Sequence, residues 1–294
     1  MIETVINGVE MSQADRAAHF RRLHETRPLV LPNAWDAASA RVIELAGAPA
    51  IASTSAGVSW AHGRPDGQKL DREEMIEAIR RMVQVLTVPV TADIEGGYGS
   101  GSISDVAETV RAVIGVGAVG INLEDSPGLD GQVLLAPERQ AERIQAARAA
   151  AGSTGVDLVI NARTDVYLMQ AVPPDARFDE TVRRARVYLA AGADCLFVPG
   201  VIDADTIAAL VKAIDGPLNV MAGPGAPTTR QLGKLGVARV SVGPAIALAA
   251  LAITQRAARE LLERGTYGEL GDAMPFGEVN GMFVAPPEVR EPVE

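Results

Sequence analysis

Four times in this chain a helical stretch closes on a glycine and re-enters an apolar run within a few residues: LAGAPAI (45–51), GVGAVGI (115–121), AAGADCL (190–196) and KLGVARV (234–240). Each fits a helix ended by a glycine in the left-handed conformation, then a tight turn into a strand. Repetition of that joint implies parallel strands joined by right-handed crossovers. Strand-like apolar runs cover 29–35, 50–57, 88–95, 120–126, 158–165, 195–200, 218–223 and 239–244. Between them, stretches such as 71–86 and 178–191 carry apolar residues at helical spacing. Asp71, Ser102, Asp179 and Thr228 are the expected helix N-caps.

Eight such units in succession are what a closed (β/α)8 TIM barrel requires, at a usual length of about 250 residues. A doubly wound open sheet is the alternative. Residues 1–294 are read as a single barrel domain with its core at 29–264, an extra helix over 12–25, and a helical or extended C-terminal extension over 265–294. The stretch PFGEVNGMFVAPPEVREPVE lacks clear periodicity and is expected to be extended or partly disordered. Apolar residues make up 48% of the chain and aromatics only 4%. That is the aliphatic core of parallel strands covered by helices.

A net charge of −10 and a pI near 4.9 argue against nucleic acid or an anionic membrane as partner. No signal-peptide pattern and no bilayer-length apolar run is present, so a cytoplasmic protein is expected. The lone cysteine, Cys195, excludes a disulfide framework and a cysteine-rich metal site, and is read as buried packing. The run GGYGSG lacks the spacing of a dinucleotide loop.

Residues two apart on a strand face the same side. In VPVTADIE, Asp93 and Glu95 therefore share a face and Ile94 takes the other. The same alternation turns Asn122 and Glu124 inward, as it does Asn161, Arg163 and Asp165, then Ser53 and Ser55, and Asn219. These sets sit toward the C-terminal strand ends, the face that carries the active site in essentially every characterised barrel of this kind. Two unit charges ~4 Å apart repel by roughly 4 kcal/mol at an intermediate dielectric. Asp93, Glu95 and Glu124 together thus need protons or a cation. Carboxylate oxygens without histidine or thiolate favour Mg2+, with Mn2+ as the alternative. Arg163 has two open roles, pairing with Glu124 or binding an anion. The glycines at 96, 97, 99 and 101 would let the next loop approach closely.

The ordered segments LPNAWD (31–36), STSAG (53–57), PDG (65–67), DIEGGYG (93–99), LEDS (123–126), NARTD (161–165) and SVGP (241–244) resemble the isocitrate lyase/phosphoenolpyruvate mutase superfamily. The resemblance implies a (β/α)8 barrel, often with its last helix exchanged between subunits, in homodimers or homotetramers. It implies Mg2+, a small 2-oxo or 2-hydroxy carboxylate as substrate, and cleavage or formation of C–C or P–C bonds beside an enolate. By position, Ser55, Ala56 and Gly57 would hold the substrate carboxylate, and Asp93 would be the principal metal ligand. Glu95, Asp66 and Glu124 would reach the ion through water. Arg163 would bind substrate oxygens, and Asn219 the distal end of the substrate. Arg163, Asp66 and Glu124 are the expected catalytic residues.

Two departures bear on activity. Where the lyases carry a loop with lysine, cysteine, glycine and histidine, this chain reads EDSPGLDGQVLLAPERQ (124–140). Gly200 stands where lyases have a glutamate. The missing loop cysteine fits decarboxylation better than reverse aldol cleavage, and the expected activity is that of a Mg2+-dependent lyase or decarboxylase acting on an oxaloacetate- or alkylmalate-like dicarboxylate through a pyruvate-type enolate. A P–C mutase or hydrolase of the phosphonopyruvate type, or a non-catalytic oxo-acid-binding barrel, are the alternatives.

Overall fold

Aliphatic side chains at alternate positions close a ring of parallel strands in the computed structural model, which describes residues 4–6, 9–25, 28–126 and 133–284. An antiparallel ladder, β1 (Thr4–Ile6) with β2 (Val9–Met11), precedes α1 (Gln13–Leu23), whose N-terminus is closed by a capping box at Ser12. The ring then runs β3 (Leu29–Leu31), β4 (Asn33–Ala34), β5 (Ile51–Ser53), β6 (Val90–Asp93), β7 (Gly120–Glu124), β8 (Val159–Arg163), β9 (Cys195–Val198), β10 (Leu218–Met221) and β11 (Arg239–Ser241). Every pairing between neighbours is parallel, in the order β3-β11-β10-β9-β8-β7-β6-β5-β4. The first and last members of that order are two halves of one stave, interrupted at Pro32, which has no N–H to give a ladder. Eight staves therefore close a barrel, as the glycine joints imply, and the open sheet is excluded.

The covering helices are α2 (Ala37–Leu45), α3 (Ser55–Ala61), α4 (Arg72–Gln84), α5 (Ile103–Gly115), α6 (Pro137–Gly152), α7 (Arg177–Ala190), α8 (Ala204–Ala213), α9 (Thr229–Lys234) and α10 (Ala245–Arg264). The joint glycines 47, 117, 192 and 236 have φ of 99°, 101°, 105° and 92°. Asp71, Ser102 and Thr228 each form a capping box. Asp179 does not cap a helix. A 3-10 turn over Pro174–Ala176 runs directly into α7, so the helix begins two residues earlier and Asp179 lies in its first turn.

Past α10 the chain makes a 3-10 turn (Gly268–Leu270) and a further helix, α11 (Phe276–Gly281), so residues 276–281 are helical rather than extended. Pro275 starts that helix, and its six residues are too few to show a period. The rest of the expected extended stretch, from 285 onward, lies outside the described residues. Among the described residues no helix is long and apolar enough to cross a membrane.

Helix α1 closes the N-terminal end of the barrel. The Gln13 side-chain amide donates to the carbonyls of Ile114 (2.8 Å) and Ala118 (3.0 Å), where α5 turns into β7. Phe20 is fully buried against the start of β7. A Cβ on Gly120 would sit 2.7 Å from the Phe20 ring and 2.8 Å from Thr91 Oγ1, so the absence of a side chain there makes room for the plug. Truncation of a buried phenylalanine typically costs about 3–5 kcal/mol. Phe20→Ala should lower unfolding free energy in urea by about that amount. A loss near zero would show that the floor relies on something else.

Candidate active site

The C-terminal rim of the barrel gathers the acidic residues, each by a different local device. Asp93 ends β6. Its backbone N–H donates to Ser53 Oγ (2.7 Å), and its Oδ2 accepts from the Ser55 backbone N–H (3.1 Å). Its Oδ1 is buried and has no hydrogen-bond partner among the described residues. Glu95 does not follow by strand alternation, because β6 stops at Asp93 and Glu95 takes a left-handed backbone with φ 49°. The carboxylate is held by the Gln68 backbone N–H (2.5 Å) and the Tyr98 hydroxyl (3.1 Å). Burial first, then the charges of Asp66 and Asp93, push its carboxyl up to about 7.

Glu124 ends β7 and pairs with Arg163 on the adjoining stave (Nη1–Oε2 2.8 Å). The Arg163 guanidinium also reaches Asp165 through Nε (2.6 Å) and Nη2 (3.0 Å), and it lies over the Phe197 ring, 5.8 Å from its centroid. The Ser126 hydroxyl bridges Glu124 (2.8 Å) and Asp165 (2.6 Å). Burial drives the Glu124 carboxyl well above the usual range, against the pull of Arg163. Asp66, in the exposed loop after α3, is raised by loss of hydration and then by Asp93. Of the two roles weighed for Arg163, the pairing with Glu124 is the one present. The Arg163 guanidinium is also the cation of the rim.

Behind the rim, Arg143 of α6 reaches inward to the Gly96 carbonyl, the Glu124 carbonyl (3.3 Å) and Gln140 (2.5 Å). One buried side chain thus ties the two acid-bearing loops together. Asp125, fully buried, accepts from Arg184 (2.9 Å), Tyr188 (2.7 Å) and the Asp165 N–H (3.0 Å). The glycines of DIEGGYG are needed for close approach. A Cβ on Gly97 would meet Val106 at 2.7 Å, and one on Gly99 would meet Asp105 at 2.6 Å.

Some expected members are placed otherwise. Ser55 begins α3 rather than ending a strand, and its backbone N–H is taken by Asp93, leaving Ala56 and Gly57 as the neighbouring first-turn donors. Gly57 admits no side chain, since a Cβ would lie 2.7 Å from Trp35 Cβ. Asn219 is fully buried and turned into the barrel, its Oδ1 accepting from Ser241 (3.3 Å) and its Nδ2 without a partner among the described residues. Asp93, Glu95 and Glu124 do not form a cage of direct ligands. Among the described residues no three acidic, histidine or cysteine side chains are grouped to hold an ion. Glu95 is turned to Gln68 and Tyr98, and Glu124 to Arg163 and Ser126. Cys195 is buried near the start of its strand, as expected. The unlike loop at 124–140 lies partly outside the described residues, at 127–132. Gln68, Tyr98, Ser126 and Arg143 were not singled out from the sequence. Only the charge of Arg143, on the apolar side of a helix, marks any of them there.

The rim still suits a hard divalent ion. Among the described residues one buried carboxylate oxygen is free at Asp93, and the neighbouring carboxyls are held up by burial first and then by mutual repulsion. Mg2+ commonly takes one or two carboxylates and keeps its remaining waters, so Asp93 could bind directly and Glu95, Asp66 and Glu124 through water.

The family model for phosphoenolpyruvate phosphomutase matches residues 20–262. The chain belongs to this family, within the isocitrate lyase/PEP mutase superfamily. An uncharacterized protein of Mycobacterium tuberculosis (strain ATCC 25618 / H37Rv) is 36% identical over 263 residues, spanning 89% of this chain and 94% of the relative. The 2-methylisocitrate lyase of Escherichia coli (strain K12) is 30% identical over 203 residues, 67% of this chain and 66% of that enzyme. A crystal structure from Burkholderia cenocepacia J2315, provisionally described as a lyase/mutase, superposes with a TM-score of 0.86 at 41% identity, covering 93% of this chain and 98% of that one. A phosphonopyruvate hydrolase solved with oxalate and Mg2+ gives a TM-score of 0.79 at 26% identity, covering 90% and 95%. The superfamily comprises lyases and mutases, and members of it use Mg2+.

The acidic rim sets a pH signature for the metal-free protein. Glu95 titrates near 7 when folded but at an ordinary 4.5 when unfolded. Between those values the folded state keeps a proton that the unfolded chain has lost, so stability falls as pH rises through the window. At about 1.4 kcal/mol per unit, Glu95 contributes a decline of the order of 3 kcal/mol. In chelator-treated protein, Glu95→Gln should flatten the fall in Tm between pH 5 and 7 (roughly the window those two pKa values bracket). A wild-type slope unchanged in the variant would remove Glu95 as its source.

Proposed function

We propose that the protein is a Mg2+-dependent lyase or decarboxylase that cleaves a C–C bond of a small 2-oxo or 2-hydroxy dicarboxylate of oxaloacetate or alkylmalate type. The observation that carries the reading is the free, buried Oδ1 of Asp93 on the same rim as the Arg163 guanidinium. When bound, the ion would polarise the substrate's C2 oxygen as a Lewis acid. Asp93 is positioned for that by the Ser53 hydroxyl and the Ser55 N–H, which leave one oxygen for coordination.

Arg163 stands beside the reacting centre already oriented by Glu124 and Asp165, so it need not reorganise as negative charge develops on the enolate. Its five N–H donors exceed the three used in these contacts, so donors remain for substrate oxygens. The first-turn N–H groups of Ala56 and Gly57 can receive a substrate carboxylate. Loss of CO2 needs no general base on a hydroxyl, which fits a loop without the lyase cysteine. The 2-methylisocitrate lyase relative supports C–C cleavage, and the phosphonopyruvate hydrolase solved with oxalate and Mg2+ supports a site for a small carboxylate and that ion.

The active unit is proposed to be a homodimer or homotetramer. Helix α10 and the chain after it leave Leu248, Leu251, Leu262 and Phe276 exposed, more apolar surface than an isolated helix usually keeps in water. Sedimentation at micromolar concentration should give a dimer or larger, and a monomer would refute that assembly.

A panel of oxaloacetate, alkylmalates, methylisocitrate and phosphonopyruvate with Mg2+, followed by pyruvate release, tests the activity. Turnover of phosphonopyruvate alone would replace C–C with P–C chemistry. Absence of any turnover, with an oxo-acid still raising Tm, would mean a binding protein. Asp93→Ala should abolish both Mg2+-dependent stabilisation and turnover. Arg163→Lys should weaken oxalate binding by about tenfold through loss of the planar fork. Affinity within twofold of the original would take Arg163 out of the substrate site.

A further inference from the structure

One buried cation takes no part in the site as described. Arg239 begins β11, is fully buried, and points into the barrel. Its Nη2 donates to Asn122 Oδ1 (3.3 Å), which also accepts from Asn161 Nδ2 (2.8 Å). Since β7 lies four staves from β11 in a ring of eight, the side chain crosses the barrel interior. Among the described residues its Nε and Nη1 have no hydrogen-bond partner, and its hydrogen bonds include none to a carboxylate. The position is enclosed from both ends. Below is α1, where Arg239 helps lower the His24 imidazole to about 4, second to burial. Above are the carboxylates, and Asp93 is among the charges that favour the protonated guanidinium. Burial lowers Arg239 to about 10, so it still carries its charge at neutral pH.

A buried guanidinium without an ion-pair partner is costly, and replacing it with an apolar side chain of similar length is often neutral or stabilising. Such a cost is expected where function requires the charge. We infer that Arg239 is a remote counter-charge beneath the acidic rim, opposing uptake of the divalent cation and favouring uptake of the anionic substrate. It acts on the potential at the rim rather than by contact. This rests on the Mg2+ and oxo-acid reading of the rim.

The test is direct binding to wild type, Arg239→Met, Arg239→Gln and Arg239→Lys. Mn2+ affinity is measured by electron paramagnetic resonance on chelator-treated protein, and oxalate affinity by calorimetry on Mg2+-saturated protein. Removal of the charge should move the two in opposite directions, Mn2+ tighter and oxalate weaker, each by about tenfold, with Arg239→Lys staying close to wild type. The Tm of Arg239→Met should be unchanged or higher. If that variant does not fold, Arg239→Gln, which keeps a donor for Asn122, carries the same readout. Loss of both affinities together, or no change in either, overturns the inference, since a packing role predicts no opposite shifts. If wild type itself binds neither Mn2+ nor oxalate, the reading of the rim fails first.

Discussion

Carboxylates packed at one partly dry end of a barrel repel one another, and the arrangement around them is largely a response to that repulsion. Each has been given a different answer. Glu124 leans on Arg163, Glu95 accepts from a backbone N–H and a tyrosine, and Asp66 remains in a loop open to water. Asp93 is the exception, with one oxygen held by Ser55 and the other left free. In a low-dielectric setting an unanswered oxygen of this kind is expensive, and a site for a cation is the natural way for it to be tolerated.

Rigidity follows from the same need. The supports behind the rim are themselves charged and buried: Arg143 under the two acid-bearing loops, and Arg184 with Tyr188 under Asp125. These groups come from α6 and α7, so the outer helices position the strand ends as well as cover the core. Charges that are already placed when a substrate arrives need no reorganisation as charge develops on it.

The architecture was legible because its signals are local and periodic. The glycine joints at 47, 117, 192 and 236 each announce one αβ turn, and the eight apolar runs fall on the eight staves. Asp93, Glu124 and Arg163 were legible for a similar reason, since each sits in or at the end of a regular strand where alternation holds. Glu95 reaches the rim by a left-handed residue that alternation does not describe. Gln68 is joined to Glu95 and Tyr98 only through tertiary contact between the β6 loop and the loop after α3, and no periodicity encodes that.

The floor of the barrel carries a consequence of a different kind. Phe20 fills space that exists only because position 120 has no side chain. The two residues are a hundred positions apart in the chain, yet neither can be exchanged alone without a void or a collision. Divergence at this seam should therefore proceed by paired replacement, a larger residue at one position accompanying a smaller one at the other. A graft of the barrel onto a foreign N-terminal helix would have to carry both.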